Sequence, residues 1–311
     1  LSLRRQRQMC IRDSDGTLYA WGGNFAGQLG VGDTTNRSTP TPVIGGYKFV
    51  SIAAVYENML ALTADNTLYA WGRNANGELG QNDTIPRSSP VAVPGYKFYK
   101  LCTSQGETSG VFGILINGWA MFWGGTNDKG QGGIGSVGSV SSPQFLAGFN
   151  AFSDVIPGPY HTLGIRTDGT VYSWGDNTYG SLGDGTRTSA SSPVAVLTGP
   201  FANTQIIKCR TNINSSYAFG TNGSIYAWGR NNVGQLGLNN ALDQSSPVVT
   251  ILPFATNTVS QSMVNNIQKE FSFTVKPGKT YALSITANVS SFGQWGIGFG
   301  KIDSVIINFI Q

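Results

Sequence analysis

The stretch TLYAWGGNFAGQLG at Thr17–Gly30 returns as TLYAWGRNANGELG at Thr67–Gly80, TVYSWGDNTYGSLG at Thr170–Gly183 and SIYAWGRNNVGQLG at Ser224–Gly237. A degraded copy, WAMFWGGTNDKGQGG, occupies Trp119–Gly133. The tryptophans Trp21, Trp71, Trp123, Trp174 and Trp228 lie 50, 52, 51 and 54 residues apart. A period near fifty built on strands predicts an all-β fold, a ring of sheet blades. In Leu18-Tyr19-Ala20-Trp21, alternate residues point to opposite faces and both faces are apolar, so this strand is expected between two neighbouring blades rather than beside water.

Glycine follows each tryptophan, at Gly22, Gly72, Gly124, Gly175 and Gly229, where a tight reversal needs backbone freedom. Asn24, Asn74, Asn177 and Asn231 lie three residues past their tryptophans and are read as closing Asx-turns. Pro40, Pro90, Pro193 and Pro247 follow 19 residues after theirs, and Pro143 follows after 20, which places a one-residue insertion in the third copy. These prolines are expected at strand starts. The third copy also has Gly132 where the others have leucine, so a weakened blade with a flexible loop at Gly130–Gly138 is expected. Length varies between each proline and the next tryptophan, so specificity is expected in those connections.

The repeats resemble the regulator of chromosome condensation repeat, a β-propeller family. The fourth copy carries its pattern most fully, in His161-Thr162-Leu163-Gly164-Ile165 and then Asp168-Gly169-Thr170-Val171-Tyr172-Ser173-Trp174-Gly175. The resemblance covers about Asp15 to Pro247. It implies a propeller with five legible repeats, an incomplete six- to seven-bladed ring, acting as an interaction scaffold. It also makes the sole histidine, His161, a structural residue. The same position, 13 residues before the tryptophan, holds Asn58, Gly110 and Ser215 in other copies.

Residues 1–13 fall outside the pattern. LSLRRQRQMCIR resembles translated sequencing-adapter DNA from an environmental assembly and is set aside as non-native or disordered, with a basic arm that binds nucleic acid or lipid as the alternative. The chain has 20 Lys+Arg against 16 Asp+Glu, net +4, of which residues 1–13 supply +3. The propeller, residues 14–255, is therefore near neutral, and a nucleic-acid footprint is not expected. Residues 256–311 alternate apolar and polar positions around Pro277-Gly278, a hairpin signal. They form either a degenerate closing blade or a separate β-module, and the alternation favours the module.

The chemistry expected is that of a binder. One histidine, three scattered cysteines and no C-x-x-C pair leave no metal site. No phosphate-cradling loop, paired-carboxylate motif or activated nucleophile is legible, so no catalytic residue and no cofactor are expected. No run of apolar residues is long enough for a membrane helix. Charged residues make up 12% and glycine 42 of 311 positions, a composition common on secreted or virion-surface proteins.

The leading expectation is a non-enzymatic scaffold that binds a protein partner through loops on one rim, with Gly130–Gly138 and Leu197–Thr204 as candidates. Glycan-binding adhesion is the alternative, with Tyr47, Tyr96 and Phe98 as stacking aromatics, although blade packing is the plainer role for these rings. Guanine nucleotide exchange on a small GTPase is a further alternative suggested by the family. The recurring pairs Asp33/Arg37 and Asp83/Arg87 read more simply as loop braces.

Overall fold

In a computed structural model, the described residues are 9–250, except 56, 104–109, 149–150, 198 and 202–203, together with the backbone of four later strands. The first blade contains β1 (Met9–Arg12), β2 (Leu18–Gly22) and β3 (Arg37–Pro42). The second has β4 (Phe49–Val55), β5 (Asn58–Thr63), β6 (Thr67–Gly72) and the start of β7 (Arg87–Thr103). That long strand continues into the third blade, completed by β8 (Val111–Leu115), β9 (Ala120–Trp123) and β10 (Gln144–Phe145). The fourth has β11 (Phe152–Pro157), β12 (His161–Arg166), β13 (Val171–Gly175) and β14 (Ala190–Ala195). The fifth has β15 (Ile206–Thr211), β16 (Ser215–Gly220), β17 (Ile225–Gly229) and β18 (Gln244–Val249). Beyond it, β19 (Val259–Ser262) pairs with β20 (Glu270–Phe273), and β21 (Ala282–Asn288) pairs with β22 (Asp303–Asn308).

Every blade is an antiparallel meander, and one register recurs. Met59 faces Trp71, Thr162 faces Trp174 and Ser216 faces Trp228 across the second and third strands. Met9 faces Trp21 in the same way. Residues 9–12, within the segment set aside from the propeller, therefore form an edge strand of the first, three-stranded sheet. They hold the register that second strands hold in the other blades, and Cys10 packs against the first blade's core. Residues 1–8 lie outside the described residues.

The cores lie between blades. One joins Leu18, Ala20 and Leu29 of the first blade to Phe49, Met59 and Trp71 of the second. Equivalent clusters fill the next three interfaces. Each buried indole also donates across its interface: Trp71 Nε1 to the Gln28 carbonyl (3.0 Å), Trp123 to Glu78 (3.1 Å), Trp174 to Gln131 (2.9 Å) and Trp228 to Ser181 (2.8 Å). In the first four blades the final glycine of the L-G pair, or of Gly132-Gly133 in the third, is the seat for that indole. Gly30 has φ +69°, and a Cβ there would lie 2.6 Å from Trp71 Nε1. Both the left-handed backbone and the close approach demand glycine.

Four of the five prolines are not strand starters; Pro143 alone directly precedes its strand, β10. Pro40, Pro193 and Pro247 sit inside β3, β14 and β18, the outermost strands, where an edge tolerates a missing N–H. The third blade, whose outer strand is only two residues long, is repacked at its core. Where other copies pair a small residue before the tryptophan with a leucine in the loop (Ala70 with Leu79), this one pairs Phe122 with Gly132. A Cβ on Gly132 would lie 2.6 Å from the Phe122 ring, so the larger ring fills the leucine's volume.

Candidate interaction face

Strand alternation fixes two ends of the blade stack. Connections from first to second and from third to fourth strand emerge at one end, here the loop end. Second-to-third hairpins and the links between blades emerge at the other. Gly130–Gly138 lies at the loop end, while Leu197–Thr204, a link between blades, belongs to the opposite end. The two loops proposed together for one rim are therefore on different rims.

The loop end is organised by the asparagines expected to close Asx-turns. Each is fully buried and reaches much further than its own turn. Asn74 Oδ1 accepts from the Leu79 amide (2.9 Å), and Nδ2 donates to the carbonyls of Asp83 (3.0 Å) and Ile85 (3.1 Å). Asn24 makes the same set with Leu29, Asp33 and Thr35, and Asn231 with Leu236, Asn240 and Leu242. Asn127, displaced by one residue, does so with Gly132, Ser136 and Gly138, so the loop expected to be flexible is braced like the rest. A buried amide with all its polar atoms satisfied fixes a loop where an exposed turn would fray.

The ion pairs Arg37–Asp33 and Arg87–Asp83, both 2.7 Å, brace the same loops from outside. The arginines also donate to the Thr35 and Ile85 carbonyls. The Arg37 guanidinium holds the Asp33 carboxyl below its usual range. For Asp83, the Ile85 amide is the larger cause, with Arg87 second. These contacts make the pairs intra-loop braces.

Against this rigid backing, apolar side chains face water. Phe25, Ile85, Val137, Val233 and Leu242, all in the third-to-fourth connections, are each at least 60% exposed. Ile85 and Leu242 are the residues whose own carbonyls the buried asparagines hold. Tyr160 and Ile213, on first-to-second connections, join them at this end. Exposed apolar groups clustered on one face of a folded protein mark contact surfaces.

The opposite end is built differently. Lys48 pairs with Asp15 and Lys97 with Asp65, both at 2.6 Å, tying the first two inter-blade links to their preceding hairpins. These lysines belong to the repeated Gly-Tyr-Lys-Phe. Its aromatics are packing residues: Tyr47 lies 4.2 Å from Tyr69, Tyr96 packs on Phe98 and Phe145, and Phe98 is fully buried against Trp123. No sugar platform is made of these three.

His161 is fully buried between the fourth and fifth blades, with Nε2 2.8 Å from Ser216 Oγ. The Ser216 hydroxyl donates its one proton to the Ser181 carbonyl (2.8 Å), so Nε2 is the protonated nitrogen and donates to Ser216. Nδ1 is left without a partner among the described residues. Burial pushes the imidazole down to about 4, with the Asp176 carboxylate pulling weakly the other way. Thr162 Oγ1 donates to the Gln131 carbonyl (2.9 Å), the acceptor that also takes Trp174. His161 and Thr162 thus tie the fourth blade to both of its neighbours. The Trp-Gly residues predicted from the repeat, Trp71 to Trp228 and Gly72 to Gly229, lie in these interfaces. Trp21 is only partly buried.

Cys102 and Cys209 are buried, Cys102 pushed up to about 12 and Cys209 higher, mainly by desolvation. Neither is a reactive thiolate. Among the described residues no cluster could hold a metal ion, and no helix is long and apolar enough to cross a membrane.

The chain matches the model of the regulator of chromosome condensation (RCC1) repeat at residues 15–62, 65–102 and 222–262, and a second model of that repeat at 49–78 and 158–181. It is 30% identical over 240 residues to the ultraviolet-B receptor UVR8 of Arabidopsis thaliana, covering 76% of this chain and 54% of that one. A Xenopus laevis RCC2 homolog is 33% identical over 129 residues, 40% of this chain and 24% of that one. The chain thus spans about half, or less, of the length of these relatives. Yeast RCC1 (Prp20), solved bound to Kap60, superposes with a TM-score of 0.63 at 20% identity, covering 82% of this chain and 61% of that one. Repeat models, relatives and fold agree with the registers above: the chain belongs to the RCC1-repeat family of β-propellers.

Proposed function

We propose that this chain is a non-enzymatic recognition scaffold that holds a protein partner on its loop end. The observation that carries the reading is the pairing of buried asparagine hubs with water-facing apolar side chains. The hubs fix the loop backbone before any partner arrives, which lowers the ordering cost of association. Ile85 and Leu242 then offer apolar area at matched positions of two blades, and Val137 does so one residue before that position in a third. Relatives with this fold include yeast RCC1 (Prp20), solved with Kap60 and studied for its binding to Gsp1p and histones. Protein contact is the property carried over here, without the identity of those partners.

The test is a triple variant, Ile85→Asp, Val137→Asp and Leu242→Asp, compared with the parent in quantitative affinity capture from the source cells. These positions are exposed, so the melting temperature should hold while specific partners are lost. Capture of an identical protein set by the variant would remove the basis for this face.

A further inference from the structure

The far side of the fifth blade keeps every part of a blade interface that belongs to its own chain. In the four interfaces already described, the loop glycine six or seven residues past the tryptophan carries a serine of the next blade's outer strand. A Cβ on Gly27, Gly130 or Gly180 would lie 2.5 Å from the Cα of Ser88, Ser191 or Ser245. The amides of Gly32, Asn82, Gly135 and Gly185 donate to the carbonyls of Ser88, Ser141, Ser191 and Ser245, at 2.8 Å each. The fifth blade repeats these positions as Gly234 (φ +77°), Gly237 (φ +67°) and Asn239 (φ +56°). No described residue comes closer than 3.8 Å to a Cβ placed on either glycine, although both keep the left-handed backbone of an occupied seat.

We infer that β19–β22 are the four strands of a sixth blade and that this blade seats on Gly234, Gly237 and Asn239. The backbone register carries the assignment. First and second strands open on a pair 14 residues apart at Phe49↔Thr63, Phe152↔Arg166 and Ile206↔Gly220, and Val259↔Phe273 opens on the same separation. The β19–β20 pair then runs on without the shift that follows in those three blades. In the third blade, which has the inserted residue, third and fourth strands pair at 24 and 22 residues in Met121↔Phe145 and Phe122↔Gln144, against 23 and 21 in the fourth and fifth blades. The β21–β22 pair repeats the third blade's values at Leu283↔Ile307 and Ser284↔Ile306. The irregularity after Ser284 falls where the one after Ser173 falls, one residue before the tryptophan position. The family match that begins at residue 222 ends at 262, the last residue of β19, as the match from 65 ends at 102 near the close of the third blade's first strand.

A substitution inside the fifth blade supports the same assignment. The sixth blade's register puts Ile285 at the tryptophan position, and isoleucine has no N–H in its side chain. The carbonyl that would receive an indole there is that of Gln235. It is taken instead by Tyr217, whose hydroxyl donates to it at 2.8 Å. The corresponding residues of the other blades, Leu60, Phe112 and Leu163, have no side-chain donor. Tyr217 satisfies that acceptor from within its own blade.

Amide hydrogen exchange on the full chain tests the seating. The Asn239 N–H should exchange as slowly as that of Gly185, at least roughly a hundredfold below an open loop amide, and independently of protein concentration. Exchange at the open-loop rate while Gly185 stays protected would overturn the inference. Protection that vanishes on dilution would also do so, because it would assign the seat to a second copy. A melting series gives a separate reading. Gly180→Ala meets backbone, whereas Gly95→Ala, at φ +87° with no atom within 4 Å, meets only conformational strain. Gly234→Ala should lower the melting temperature as far as Gly180→Ala, and a drop no larger than that of Gly95→Ala would count against the sixth blade.

Discussion

The two ends of this blade stack hold their loops in place by opposite means. At the loop end, single buried asparagines such as Asn74 span nine to eleven residues of backbone, and apolar side chains stand outside. At the opposite end, Lys48–Asp15 and Lys97–Asp65 pin the first two links from the solvent side, while the aromatics beside them turn inward. A hydrogen bond made away from water is lost at full cost, because its partners are left unpaired. An ion pair in water is lost cheaply, because water replaces it. The end that presents the larger set of exposed apolar groups, against Ile44, Ile116, Trp119 and Leu197 at the opposite end, is therefore the end whose backbone is held by the interactions most costly to lose.

The sharpest way to break this contrast is Asn74→Ala. It strands one amide and two carbonyls in a buried loop and should cost about 4 kcal/mol at roughly 1–3 kcal/mol per stranded group. Chemical denaturation of parent and variant measures it, and a cost under about 1 kcal/mol would mean that water satisfies those groups and the hub is dispensable. The loop should lose its exchange protection at Leu79 in the same variant.

Next in size is a pH effect confined to one group. His161 is the sole histidine, with its folded value lowered to about 4 against 6.5 ordinarily. A lowered value means that the folded state binds fewer protons than the unfolded state between those limits. Its contribution is thus fully present above pH 6.5, declines as pH falls, and is exhausted below about 4, a loss of about 3 kcal/mol. Asparagine occupies this repeat position at Asn58, so His161→Asn is a natural comparator. The stability gap between parent and variant should shift by that amount in favour of the variant between pH 7 and 4. A gap unchanged with pH would show the imidazole to be hydrated.

The repeat itself was legible because tryptophan and glycine recur at a fixed period only where one sheet unit is built over and over, and register follows from period. The reach of the asparagines was not legible. Their partners are backbone atoms of Asp83, Ile85 and their equivalents, which carry no residue-type signal. Nor does sequence say that Ile85 faces water and Leu79 does not, since both are aliphatic residues in one loop. The division of the named loops between two rims was available in principle from strand alternation. The exchange of Ala70 and Leu79 for Phe122 and Gly132 showed as two departures in one copy, and only contact makes them a single compensated change.

That compensation gives an effect of intermediate size. Gly132→Leu restores the repeat's usual residue but drives it into the Phe122 ring, and should cost about 2 kcal/mol as overpacking. Adding Phe122→Ala should recover most of the loss, so the double variant lies closer to the parent than either single one. Additive losses in this cycle would mean that the two positions do not share a volume.

The smallest effect belongs to the opposite end and is the one that most directly tests the comparison. Lys97 donates to both Asp65 and Thr67, and these contacts hold the Asp65 carboxyl far below its usual range, the lysine hydrogen bond being the largest cause. Such a shift would suggest a strong brace if the pair were buried. Both side chains are about half exposed or more, however, so solvent screens the charges and replaces the lost contacts. Lys97→Ala should leave the melting temperature within the reproducibility of the measurement, at low and at high salt alike. A clear drop that salt abolishes would show that this end, too, is held by interactions that matter, and the contrast with the asparagine hubs would have to be withdrawn.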